Sequence, residues 1–166
     1  MEEQIMNMPA VALRGLTILP GMIAHFDISR ERSLRAVEEA MEQDQKIYLV
    51  TQRNVDSEDP TQEDLYQMGI VADIKQVVRL QNDVVRILVD GISRAALLGF
   101  TGNEKYLEAE ICYCDSNADS LPEDLREAML LGVREAFHRY AAVVGKISKE
   151  LIRQIDQYED LEKLID

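Results

Sequence analysis

The feature that most constrains this chain is a change of rhythm near Asp115. Before it, apolar residues recur at every second position in short runs bounded by Gly, Pro, Asn and Asp. After it they recur every three to four residues. The first period belongs to strands and the second to helices. The chain therefore predicts an α+β protein: a β-rich domain over residues 1–115, then a helical subdomain over residues 116–166. The polar stretch 116–120 reads as the linker between them. With 166 residues and a hydrophobic fraction of 46%, a real core is within reach.

Residues 11–19 read as a first strand, interrupted at Gly15 and stopped by the turn pair Pro20-Gly21. Residues 23–28 read as a second, and Ser29 as the N-cap of an amphipathic helix reaching Glu42. Its inner face would be Leu34, Ala36, Val37, Ala40 and Met41. Residues 46–52 predict a buried strand, and residues 53–64 a polar, acidic loop. The alternation over residues 69–80 slips near Gln76, which predicts a bulge. Gln81-Asn82-Asp83 is the turn of a hairpin whose return strand, from Val84, is expected to end at Gly91. Residues 92–98 and 106–114 read as further strands.

Ser120 and Glu123 have capping-box spacing ahead of a long helix over 121–144. Leu121, Leu125, Met129, Val133 and Phe137 form its stripe, read mostly as core, and Gly145 suits its end. Ser148 opens a second helix, and a third starts near Glu159. The apolar face still being laid down at Ile165 predicts that the natural chain continues.

The formal net charge of −13 repels phosphate backbones. No apolar run approaches the roughly 18–20 residues of a membrane span. Two cysteines and an acidic start without a basic leader point to the cytoplasm. Cys112 and Cys114 share one strand face, but a zinc site needs two more ligands, and His25 and His138 fall in different subdomains. They read as core or edge cysteines. Glu58-Asp59 and Glu63-Asp64 read as a solvated loop. No phosphate-binding Gly-rich run and no Gly-x-Ser-x-Gly appear, so no catalytic residue, metal or cofactor is assigned.

An ordered series of blocks carries a resemblance: Leu13-Arg14-Gly15, Leu19-Pro20-Gly21-Met22, Ser29-Arg30-Glu31-Arg32-Ser33-Leu34-Arg35-Ala36 and Lys46-Ile47-Tyr48-Leu49-Val50-Thr51-Gln52. Glu58-Asp59-Pro60-Thr61, Asp64-Leu65-Tyr66, Gly69-Ile70-Val71-Ala72 and Val89-Asp90-Gly91-Ile92-Ser93-Arg94-Ala95 continue it. Together they resemble the amino-terminal domain of ATP-dependent Lon proteases. Gln81-Asn82-Asp83 departs from the Pro or Gly usual at that hairpin tip.

The resemblance implies a PUA-like pseudo-barrel with one covering helix, then helices, ahead of an ATPase and a Ser-Lys peptidase. ATP and magnesium are implied only for that absent ATPase module. The implied role is non-catalytic: recognition of unfolded or tagged protein substrates and support of a homo-oligomer, a dimer for this piece and a hexamer for the whole protease. That protease degrades misfolded, damaged and selected regulatory proteins. Met22 and Ile23 are candidate client contacts, or else pack under the helix. Glu31, Arg32 and Arg35 are further candidates on a charged helix face. Leu125, Met129, Val133 and Phe137 are candidates for self-association. The rival readings are a purely structural dimerisation module and a PUA-like RNA-binding domain, which the charge opposes. No nucleic-acid or membrane partner is expected.

Overall fold

The computed structural model describes residues 5–114 and 120–166, so all but Ser120 of the linker expected over 116–120 lies outside the described residues. The chain divides into two compact units, Met1–Cys114 and Asp115–Asp166.

Among the described residues the first unit has six strands, an α-helix and a short 3-10 turn at Gln62–Asp64: β1 (Ile5–Leu13), β2 (Ile23–Ile28), α1 (Glu31–Glu42), β3 (Lys46–Thr51), β4 (Met68–Arg79), β5 (Val85–Phe100) and β6 (Glu108–Tyr113). They form one sheet in the order β2-β5-β4-β3-β1-β6, and β5 also pairs with β6. That extra pairing closes five of the strands into the expected barrel. The first half of β5 pairs with β2 and the second half with β6. β1 and β3 are parallel, and the crossover between them carries α1.

Alternation divides the core in two. Ala10, Tyr48, Val71, Ala95 and Ile111 share one cluster, drawn from all five closing strands. Val11, Leu49, Ile70 and Val89, on the other face, pack with Ala36, Val37 and Ala40 of α1 and with Ile28.

The structure corrects several expectations. The first strand runs Ile5–Leu13, because Gly15 takes φ +63° and bends the chain out of the sheet. Arg30, not Ser29, caps α1, and Ser33 is buried while Met41 is exposed. Gly91 does not end a strand, since β5 passes through it. The slip near Gln76 is a register shift between Ile74 and Gln76. Asn82 and Asp83 turn the hairpin with φ 59° and 58°, the left-handed conformation those residue types tolerate.

The second unit holds α2 (Glu123–Val144), α3 (Lys149–Gln157) and α4 (Leu161–Ile165). Pro122 is the N-cap of α2, so the helix opens after the expected Ser120 box. Gly145 ends it at φ 65°, its N–H reaching the Ala141 carbonyl. The Ser148 hydroxyl accepts the Leu151 N–H at 3.1 Å and opens α3. Leu130 and Ala141 are the buried residues of α2, with Leu161 of α4 buried in the same unit. The stripe from Leu121 is therefore not mostly core: Leu125 and Met129 stand 46% and 40% exposed. His138 Nε2 meets Asp156 Oδ1 at 2.8 Å, and the Arg134 guanidinium donates to the Tyr158 carbonyl.

Candidate functional site, an apolar groove on the barrel

A groove of about 490 Å³ opens on the first unit between the segment Thr17–Leu19 and the start of β4. Leu13, Ile18 and Leu49 belong to the core cluster beneath and supply apolar lining. Tyr66 and Met68 line it too and remain 50% and 47% exposed. Arg53, Gln67, Thr51 and Arg94 add the polar groups.

Local hydrogen bonds hold these walls. Thr51 Oγ1 donates to the Leu16 carbonyl at 2.8 Å and lies 3.2 Å from Thr17 Oγ1, which ties the 16–19 segment to β3. The Tyr66 N–H reaches the Thr51 carbonyl at 3.0 Å. The acidic loop returns to the sheet through a bridge between Gln52 and Leu65. The Arg53 guanidinium then sits 5.3 Å from the centre of the Tyr66 ring, a cation–π distance. Gly69 lines the groove because nothing larger fits: a β-carbon there would meet Tyr48 Oη at 2.4 Å. Tyr48 donates its hydroxyl to the Ala95 carbonyl at 3.0 Å, and burial pushes its phenol far above the usual tyrosine range. It is a structural post, not an acid.

Leu19-Pro20-Gly21-Met22 is a turn closed by the Met22 N–H on the Leu19 carbonyl at 3.1 Å, with Gly21 at φ +73°. Pro then Gly with positive φ is the type II pattern. The Gly21 N–H bonds the Gly91 carbonyl at 2.7 Å, and the Gly91 N–H bonds the Met22 carbonyl at 3.0 Å. The turn thus holds Leu19 in the groove wall and presents Met22 and Ile23 to solvent, Ile23 at 68%.

Glu31 and Arg32 line a separate, charged depression with Arg14, Arg30 and Asp59. Arg35 bonds Glu31 at 2.6 Å, and Arg32 reaches Asp59 Oδ1 and the Asn103 carbonyl, each at 3.3 Å. Arg30 donates to the buried Gln52 at 2.6 Å, and desolvation lowers its pKa. These side chains are largely engaged in holding loops.

Of the candidate client contacts, the groove lining includes none by number. It holds Leu19, at the start of the turn that carries Met22 and Ile23. Nothing in the residue patterning marks Arg53, Tyr66, Met68 and Arg94 as neighbours, since the loop and the barrel closure bring them together. The one available signal was Tyr66, a large aromatic at the end of a polar loop. Among the described residues, no helix is long and apolar enough to cross a membrane.

The model of the substrate-binding domain of ATP-dependent protease La (Lon) matches residues 7–166. The chain belongs to the Lon substrate-binding domain family. It is 37% identical over 166 residues to a Lon protease of Lachnoclostridium phytofermentans, covering 100% of this chain and 20% of that protein. It is 36% identical to a Lon protease of Clostridioides difficile, covering 96% of this chain and 21% of that one. The chain thus spans about a fifth of the length of these curated relatives. In structure it resembles the N-terminal domain of a Mycobacterium avium complex Lon protease, with TM-score 0.72, 17% identity and coverage of 97% of this chain and 80% of that one. A Lon N-terminal domain protein from Xanthomonas campestris gives TM-score 0.56 at 14% identity, covering 96% and 95%. These two likenesses establish the fold alone.

Proposed function

We propose that this Lon domain binds unfolded polypeptide segments in the groove between Thr17–Leu19 and Tyr66–Gly69. The observation that carries this reading is an apolar lining joined to half-exposed Tyr66 and Met68. A folded protein hides its apolar side chains, whereas an unfolded one offers them in extended stretches. Aromatic and methionine walls suit such varied cargo, since Met adapts its shape and Tyr contributes large area at small entropic cost. Arg53 adds positive charge at the groove, which favours segments that carry acidic residues beside apolar ones. In the whole protease, in the cytoplasm, the domain would hand misfolded, damaged or regulatory clients to an ATP-driven peptidase. The experiment is a binding titration with a permanently unfolded protein and its folded parent. Preference for the unfolded form, lost on Tyr66→Ala with Met68→Ala, supports the reading; equal binding of both forms ends it.

A second reading, self-association through the helical unit, is favoured by the exposure of Leu125, Met129 and Leu131 on α2. Val133 and Phe137 are half-buried and contribute less open surface. Sedimentation across a concentration series tests it, and a concentration-independent monomer would end it.

A further inference from the structure

The start of α1 gathers positive charge that the groove does not use. Arg14, Ser29, Arg30 and Ser33 line both the charged depression of about 400 Å³ and a smaller recess of about 170 Å³ beside it. Arg30 gives α1 no side-chain cap, and the first helical bond is that of the Leu34 N–H to the Arg30 carbonyl, at 3.0 Å. The N–H groups of Glu31, Arg32 and Ser33 are thus left without a backbone partner. Two side-chain groups there are unpartnered as well. Ser33 is only 4% exposed, lines both hollows and makes no side-chain hydrogen bond among the described residues. Arg32 Nε is buried and has no hydrogen-bond partner. Buried polar groups are nearly always paired, so two orphans at one place call for an explanation. Arg14 gives one N–H to the Ser57 carbonyl at 3.1 Å, and Arg30 one to Gln52 Oε1 at 2.6 Å. A guanidinium carries five N–H donors, so most of theirs remain. Desolvation, and after it the positive charge of Arg14, lowers the Arg30 pKa, with Asp59 and Glu58 opposing. Of the carboxylates nearby, Asp27 is bonded to Arg86 and Glu31 to Arg35. Glu58 and Asp59 also face the depression; Asp59 meets Arg32 at 3.3 Å, and its side chain is 81% exposed.

We propose that Arg14, Arg30, Arg32, Ser33 and the first N–H groups of α1 form a site for a phosphate-class oxyanion, free or carried as a monoester. The opening turn of a helix favours negative charge, through its unpaired N–H groups and through the helix dipole. Guanidinium bonds to phosphate are charge-assisted and often two-pronged. A tetrahedral oxyanion has acceptors on every side, so it can take the serine hydroxyl, the arginines and the backbone together. Asp59 acts as the internal competitor. Its carboxylate neutralises Arg32 and, lying on an exposed loop, can turn to solvent when an anion arrives. The overall charge of −13 disfavours long polyanions, which points to a small ion or a single ester. None of these residues lines the groove, so the site is independent of whether the groove takes polypeptide.

The test is a calorimetric titration of the full chain with inorganic phosphate and, separately, with O-phosphoserine, at constant ionic strength in a chloride-poor buffer. The expected result is one site per chain for at least one probe, with a Kd of about 1 mM or tighter. Tighter binding of phosphate identifies the free ion as the ligand, and tighter binding of phosphoserine identifies the ester. Arg14→Gln weakens binding by about tenfold and Ser33→Ala by about threefold. Asp59→Asn tightens it by about threefold, since a competing carboxylate is gone. Arg79→Gln, an exposed arginine elsewhere on the first unit, leaves it unchanged. Circular dichroism of each variant confirms that the fold is kept. Absence of saturable binding by both probes up to about 10 mM overturns the proposal. So does parental affinity in both Arg14→Gln and Ser33→Ala, or an equal loss in Arg79→Gln, which would mark general charge attraction.

Discussion

The carbonyl oxygen of Leu19 stands where a β-carbon on Gly91 would have to go, 2.3 Å from its ideal position. Ile70 Cδ1 crowds the same point at 2.9 Å. Leu19 cannot retreat easily, because its residue starts the turn bonded to Gly91 through Gly21 and Met22. Gly91→Ala is therefore expected to destabilise the first unit by about 2 kcal/mol, the scale of an overpacked core. Urea denaturation followed by far-ultraviolet circular dichroism measures it. A variant as stable as the parent would show that the turn is free to lift away.

Tyr66→Ala is expected to weaken binding of an unfolded client by about tenfold, or roughly 1.4 kcal/mol. The change in stability should be small, because the ring is half exposed and its main chain, not the ring, makes the bond to Thr51. Arg53→Met removes the cation above that ring and is expected to cost about 0.5–1 kcal/mol of binding, through a less ordered wall. Fluorescence anisotropy with a labelled client reports both.

Tyr48→Phe is expected to cost about 1 kcal/mol, the loss of a buried hydrogen bond with the Ala95 carbonyl. The phenol ionises far above ordinary pH, so this penalty should not vary between neutral and mildly alkaline buffer. Chemical denaturation at two pH values checks it.

Asp27 and Arg86 form a two-pronged pair, with bonds of 2.7 and 2.8 Å. The bonded guanidinium holds the Asp27 pKa below its ordinary 3.8. A depressed folded pKa adds stability above the unfolded value and loses it as pH falls through the folded one. The gap in urea midpoint between the parent and Arg86→Met should thus be constant near neutrality and shrink once pH drops below 3.8. Both partners are exposed, so the gap is small, and added salt should narrow it further.

Leu125→Glu with Met129→Glu is expected to abolish any self-association while leaving the helix content unchanged, since both side chains are exposed. Analytical ultracentrifugation combined with circular dichroism separates the two outcomes.

Local chemistry was legible where a residue type alone decides the backbone. Asn82-Asp83, Pro20-Gly21, Ser148 and Gly145 each turn or cap the chain as their side chains dictate. Gly91 shows the opposite case. A glycine inside an alternating run is ambiguous, and only the approach of Leu19, distant in sequence, reveals that it continues a strand. The start of β1 was obscured for a similar reason. Asn7 and Pro9 look polar or disruptive alone, yet this stretch pairs with residues 108–112 of β6. The groove could not be read at all from spacing, because its walls are Thr17–Leu19 and Tyr66–Met68, joined only by the folded β3 between them.

The place of β6 has a consequence for how the chain is made. It is the final strand of the barrel to leave a ribosome, and it pairs with both the opening strand β1 and the far half of β5. Until about Tyr113 has emerged, both of those strands present unpaired edges to the crowded surroundings. The helices of the second unit are encoded after that point, so a nascent chain can seal its barrel before any of them exists.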